Sequence, residues 1–250
     1  MVKPRARRRL RLSPEALHSD PVEIFGPPLR HLHVLRLRAG DRVYLFDGQG
    51  REIEAELVEV GRTRGQARLL REIEGHVEPP LRCWLVQGLP ARLSRMDLIV
   101  RQVTEMGVEC ILPVLAQRSQ RPAGSDALRR RQLRWQRIAS AAASQSRRQQ
   151  VPGILAPVSV EELAWGELPP LVLLFDPGGP AGLRQALAAP APANVALMVG
   201  PEGGWSPEER RQSIDHGAVP ISLGPRVLRT DTASAAALAI LLHCWGDLGC

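Results

Sequence analysis

The chain has 250 residues, 44% of them apolar, with 33 basic against 26 acidic side chains and a formal net charge of +7. The apolar share suffices for a packed core and argues against intrinsic disorder, and the length fits one large domain or two modest ones. No run of about 18 apolar residues occurs, so no membrane-spanning helix is expected, and the excess of positive charge suits a polyanionic partner.

Residues 1–12 are rich in Arg, but Ser13, Pro14 and Glu15 follow where a signal peptide would carry its apolar core, so no targeting segment is expected. Lys3 is the only lysine. A GC-rich genome would account for that preference, though not for the surplus of positive over negative charge. Strands are predicted over 42–46, 52–60 and 66–73, with Asp47-Gly48-Gln49-Gly50 turning the first into the second. Residues 1–75 therefore read as a small β-barrel carrying a basic arm. His31 and His33 form a His-x-His pair, but no acidic or cysteine partner is in reach. They read as surface histidines, and no metal is expected.

Glu78-Pro79-Pro80 reads as a linker, and the hydrophobic period changes after it. Residues 81–250 form the second domain. A strand at 81–87 precedes a helix at 94–106, where Met96, Ile99, Val100, Val103 and Met106 recur at helical spacing and Gly107 ends the run. Then come a strand at 110–115 and a long helix from Ser125 to about residue 148, with Leu128, Trp135, Ile138 and Ala142 inward. The rest alternates: strand 171–175, helix 181–188, strand 195–199, helix 206–216, strand 219–223, helix 231–245. Such alternation implies an α/β fold with a parallel sheet covered on both faces. Ligands of these sheets bind outside the carboxyl ends of strands, which selects the loops 175–180, 200–206 and 224–231. Cys83, Cys110, Cys244 and Cys250 have neither Cys-x-x-Cys spacing nor a histidine at metal-site spacing, and read as reduced thiols of a cytoplasmic protein.

Phe175-Asp176-Pro177-Gly178-Gly179 lacks the dinucleotide spacing and reads as a plain Gly-rich turn. In the second loop, Ser206, Pro207 and Glu209 form the start of a capped helix. The cap leaves Gly200-Pro201-Glu202-Gly203-Gly204 unexplained, and these glycines let backbone N–H groups approach a ligand. In the third loop, Gly224-Pro225 breaks the strand. Val227 and Leu228 are apolar where a solvent loop would be polar, and Arg226 and Arg229 flank them. Thr230 or Asp231 opens the last helix, whose N-terminus favours an anion.

These paired loops, 200–204 and 223–233, resemble the cofactor loops of the SPOUT methyltransferases, and of the RsmE family in particular. Glu105-Met106-Gly107-Val108 resembles that family's Glu-Leu-Gly-Val motif. Gln145, Arg148, Val151 and Pro152 match its Gln-x-x-Arg-x-x-Val-Pro segment, and Leu45-Phe46-Asp47-Gly48 ends a similar N-terminal stretch. Gln102, Ser144 and Asp231 depart from the common Lys, Glu and Glu. The resemblance implies a SPOUT-type parallel sheet with a C-terminal trefoil knot, an RNA-binding PUA-like barrel, a homodimer and a bent S-adenosyl-L-methionine. It implies methylation of a uridine N3 in the 16S rRNA of the small ribosomal subunit.

On that basis the cofactor residues are expected to be Leu174 and Phe175 as one wall, with Val199, Gly200, Pro201, Glu202, Gly203, Gly204, Ile221, Leu223, Gly224, Val227 and Leu228. Arg229 is the expected stabiliser of the uracil anion, with Glu202 or Asp231 as proton acceptor. RNA contacts are expected from Arg5, Arg7, Arg8, Arg9 and Arg11 of the arm and from Arg118, Arg121, Arg147 and Arg148. The competing readings are a SpoU-type ribose 2′-O-methyltransferase, whose Asn-rich motif is not seen near 81–115, and a non-catalytic ribosome-assembly protein that binds RNA.

Overall fold

The computed structural model describes residues 8–75, 77–119, 124–179, 181–187 and 190–249. Two compact units result: Met1–Glu78 with Ala143–Val151, and Pro79–Ala142 with Pro152–Cys250.

In the first unit the chain runs β1 (Arg9–Arg11), β2 (Val22–Ile24), α1 (Gly26–Val34), β3 (Arg42–Phe46), β4 (Glu52–Val60) and β5 (Gly65–Glu72). The strands form one sheet in the order β1-β3-β4-β5-β2, with β1 parallel to β3 and the other pairs antiparallel. Alternation sets its inner face: Val43 and Leu45 are fully buried, while Arg42 is exposed and Tyr44 half-buried. Leu10, Ile24, Ile53 and Leu57 join the same core. The sequence reading gave 26–34 no element. Prolines in the first turn start a helix there, and it buries Leu29 and Leu32 against that core. His31 and His33 lie on this helix, where residues two apart share no face.

The segment after the long helix belongs to this unit, and Arg9 is one of the residues that hold it. The Arg9 guanidinium pairs with Glu52 at 2.7 Å and donates to the carbonyls of Ala143, Ser144 and Arg148 at 3.1, 3.2 and 2.9 Å. It also lies 4.2 Å from the centre of the Phe46 ring. Both ends of the pair are at most 3% exposed. Arg148 is likewise buried and pairs with Glu78 at 2.6 Å. The expected RNA contacts from Arg9 and Arg148 are therefore corrected: both guanidinium groups are consumed inside the protein, where an unpaired charge is not tolerated. Arg5, Arg7 and Arg121 lie outside the described residues.

The second unit contains β6 (Arg82–Gly88), α2 (Leu93–Met106), β7 (Cys110–Leu115), α3 (Ser125–Ser146), β8 (Gly153–Ile154), β9 (Val158–Ser159), β10 (Leu171–Phe175), β11 (Ala181–Gly182), α4 (Leu183–Ala186), β12 (Asn194–Val199), α5 (Pro207–Asp215), β13 (Val219–Ser222) and α6 (Thr230–Trp245); the last turn of α3 falls in the first unit. The expected helix over 181–188 is shorter, being a two-residue strand followed by α4. The strands make one parallel sheet in the order β11-β13-β10-β12-β6-β7-β8, with β9 also on β7. β6, β10 and β12 bury nearly every residue, as a sheet covered on both faces requires. α2 buries Met96, Ile99, Val100 and Val103, each worth about 1.5–3 kcal/mol.

Candidate functional site

Strands β13, β10 and β12 are neighbours in a parallel sheet, so the loops that follow them emerge side by side at their carboxyl ends. Between these loops lies a cavity of about 490 Å³, within the range of small-molecule sites. Phe175, Asp176 and Pro177 come from the first loop, Val199 to Trp205 from the second, and Ser222 to Thr230, except Pro225, from the third. Arg118, Arg210 and Ala233 complete it.

The walls are held by a buried polar knotting of three distant segments. Gln87, fully buried at the end of β6, donates from Nε2 to the carbonyl of Gly88 at 2.8 Å and to Thr230 Oγ1 at 2.9 Å. Thr230 Oγ1 donates in turn to the Gly200 carbonyl at 2.7 Å. Ser234 Oγ lies 2.6 Å from Gln87 Oε1. The first turn of α6 is thus fixed to the loop after β12. Backbone meets backbone beside it: a Cβ at Gly88 would stand 2.5 Å from Pro201 Cδ and 2.7 Å from its nitrogen. The next helix is set by the expected capping box, in which Ser206 Oγ accepts from Glu209 N and Glu209 Oε2 accepts from Ser206 N. The other oxygen of Glu209 accepts from Gln117 N at 2.7 Å, which holds the segment leading to Arg118.

Charges around the cavity divide into those already engaged and those left over. Arg210 pairs with Asp176 at 2.6 Å, and Asp176 also accepts from Gly178 N. Arg118 donates to the Gly203 carbonyl at 2.8 Å. Glu202 accepts from Ala91 N at 2.9 Å and from Arg95 at 2.8 Å. Both of its oxygens are occupied, which fits a carboxylate that fixes the loop rather than one that takes a substrate proton. Arg226 and Arg229 are exposed, and neither guanidinium has a recorded partner among the described residues. A surplus of positive charge therefore faces the mouth.

Most of the residues singled out in the sequence meet at this cavity: Phe175, Val199, Gly200, Pro201, Glu202, Gly203, Gly204, Leu223, Gly224, Val227, Leu228 and Arg229. Leu174 and Ile221 do not. Both are fully buried in the sheet, because alternate residues of a strand face opposite sides. Asp231 is not on the wall either, but in the first turn of α6, where a carboxylate complements the helix N-terminus. Arg8 is spent on Asp41 at 2.8 Å, and Arg11 reaches the Asp47 carbonyl at 3.5 Å. The first loop is more than a plain turn, since Asp176 and Pro177 line the cavity. Gln87 and Gly88 were missed; their signal was a polar residue and a glycine closing the apolar run Trp84-Leu85-Val86.

The cavity suits S-adenosylmethionine. Its apolar walls and glycine-rich edges match a ligand with a flat ring and a polar tail. The Trp205 indole nitrogen is buried on the wall without a partner among the described residues, a donor that a polar ligand would satisfy.

The RNA methyltransferase domain family matches residues 77–242, and the RNA methyltransferase PUA domain family matches residues 29–70. Over 236 residues the chain is 35% identical to ribosomal RNA small subunit methyltransferase E of Synechocystis, covering 92% of this chain and 76% of that one. A crystal structure of ribosomal RNA small subunit methyltransferase E from Neisseria gonorrhoeae bound to S-adenosyl methionine superimposes with a TM-score of 0.86 at 32% identity, covering 96% of this chain and 99% of that chain. A Legionella pneumophila methyltransferase in complex with the bound cofactor SAM superimposes with a TM-score of 0.87 at 31% identity, covering 98% and 100%.

Proposed function

The chain belongs to the ribosomal RNA small subunit methyltransferase E family, and from that premise we propose that it methylates N3 of a uridine in 16S rRNA, using S-adenosylmethionine. The observation that carries the reading is the cavity at the carboxyl ends of β10, β12 and β13, with Arg229 exposed on its lining and without a partner among the described residues.

The glycine-rich edge at Gly200, Gly203 and Gly204 and the apolar side chains of Phe175, Val199, Val227 and Leu228 would hold the cofactor, which supplies an electrophilic methyl group. Neutral uracil has no in-plane lone pair at N3, so its imide proton must leave, here to solvent water. The resulting charge spreads over O2 and O4. A guanidinium beside those oxygens lowers the cost of deprotonation, as donors do for an oxyanion. Arg229, on the cavity lining, would serve that task. The Gln87–Thr230–Gly200 hydrogen bonds serve it by fixing the first turn of α6, because in-line attack tolerates little misplacement.

The same reading includes a chain end threaded as a trefoil knot, cytoplasmic action and a homodimer. In support of that reading, a Cβ at Gly88 would stand 3.1 Å from the Gly200 carbonyl carbon, and Thr230 Oγ1 donates to the Gly200 carbonyl. α6 buries Ala237, Leu238, Leu241 and Leu242 within the unit and leaves Ile240 exposed, so a dimer would draw on the residues this helix leaves uncovered. Light scattering at micromolar concentration tests that arrangement.

The central test is digestion of rRNA methylated by the purified protein. The expected product is 3-methyluridine. A nucleoside that resists alkaline cleavage and keeps its N3–H would instead assign ribose 2′-O-methylation. Arg229→Ala is expected to retain cofactor affinity and lose most turnover, with partial recovery at high pH.

A further inference from the structure

Four helices of this chain close with the same C-terminal motif, in which a residue at the helix end turns left-handed and the next N–H reaches back five positions. After α2, Gly107 has φ 109° and Val108 N donates to Val103 O at 3.0 Å. After α5, Gly217 has φ 90° and Ala218 N donates to Ser213 O at 3.0 Å. After α1 the same place is taken by Arg36, with φ 54° and Leu37 N donating to Leu32 O at 3.0 Å. After α3 it is Arg147, with φ 67° and Arg148 N donating to Ala143 O at 3.0 Å.

Glycine is the default at this position because a Cβ is disfavoured at positive φ. Arg36 and Arg147 are the only non-glycine residues with positive φ among the described residues. Both belong to the first unit, both are exposed, and neither side chain has a recorded hydrogen-bond or ion-pair partner among the described residues. Elsewhere in that unit Arg8, Arg9, Arg42, Arg51, Arg64, Arg71 and Arg148 are tied to carboxylates, while Arg30, Arg62 and Arg68 are exposed without an ion pair among the described residues; only at Arg36 and Arg147 does a free guanidinium coincide with a positive φ. The chain thus keeps a strained backbone at two points where the substitution would be easy to relieve, and what it keeps there is an uncommitted guanidinium. Strain held at an exposed residue points to a role for its side chain.

We propose that Arg36 and Arg147 bind phosphates of the RNA substrate. This rests on the reading of the chain as an rRNA methyltransferase. Of the RNA contacts expected of this unit it keeps Arg147, adds Arg36, and gives up Arg9 and Arg148, which are buried. Planar guanidinium suits bidentate contact with phosphate oxygens, and a residue fixed in a tight helix-end turn has little backbone freedom left to lose on binding.

The test uses the full chain with Arg36→Gly, Arg147→Gly and the matching Lys variants. Glycine removes the side chain and the strain together, so each Gly variant is expected to melt roughly 2–4 °C higher. At the same time the plot of log affinity for 16S rRNA against log salt should lose about 0.7–0.9 of slope per variant, with S-adenosylmethionine affinity unchanged by calorimetry. Lysine should retain the slope and the wild-type melting point. If the arginines merely complement the helix carboxyl ends, the Gly variants melt lower and bind RNA with the wild-type slope, and the proposal is overturned. Failure of the wild-type chain to bind 16S rRNA would overturn the functional reading as well, which separates the two failures.

Discussion

Replacing Gly88 by Ala adds one methyl group at a place where two main chains touch. The new Cβ would stand 2.5 Å from Pro201 Cδ, 2.7 Å from Pro201 N and 3.1 Å from the Gly200 carbonyl carbon. Carbon atoms pack at about 3.5–4.0 Å, so the loop must retreat by roughly 1 Å. No flexible side chain is available to absorb this, since the atoms met belong to a proline ring and to backbone. Overpacking of this kind costs about 1–3 kcal/mol. The retreat would also strain the Thr230 hydrogen bond to the Gly200 carbonyl, now 2.7 Å long. A misplacement near 1 Å at a reacting centre costs on the order of 100-fold in rate. We therefore expect Gly88→Ala to fold, to melt several degrees lower, and to bind S-adenosylmethionine at least about tenfold more weakly by titration calorimetry. Wild-type affinity in a folded Gly88→Ala protein would refute the argument that this contact sets the cavity wall.

Two further outcomes follow from other parts of the chain. Arg9→Ala leaves Glu52 buried without its partner and strips three carbonyls of their donor, so a loss of about 3–5 kcal/mol is expected in denaturant unfolding, with Arg9→Met plus Glu52→Met recovering part of it. The Cys83 and Cys110 thiols are pushed up to about 12 by burial, with a smaller contribution from the charge of Glu109. At pH 8 they stay protonated and should resist iodoacetamide in the native protein, reacting only after unfolding; mass mapping of the labelled peptides checks this.

The strands at 42–46, 52–60, 110–115 and 171–175 were legible because each is an apolar or β-branched run closed by turn residues on both sides. β8 and β9 were not, being two residues each, too short for any period to register. α1 hid behind its composition: only Leu29 and Leu32 face inward, and the prolines at its start read first as breakers. At the site, glycine spacing and the Ser206–Glu209 cap are local features and announced themselves. Gln87 did not, since a lone amide in a strand has meaning only beside Thr230 and Ser234, more than 140 residues away. Arg9 misled for the same reason, because its partners at 52 and 143–148 are invisible to a reading of residues 5–11.

The return of residues 143–151 to the first unit has a consequence for how the molecule is made. A ribosome delivers Arg9 and Glu52 early, but the carbonyls of Ala143, Ser144 and Arg148 emerge only when more than half of the chain has been translated. Until then a nascent guanidinium sits beside one carboxylate with its remaining donors facing water, and the burial seen in the finished protein is out of reach. Domains usually complete in the order of synthesis. Here the amino-terminal one waits for its own last piece, and a fragment cut at the Glu78-Pro79 junction would be a domain with its closing segment left behind.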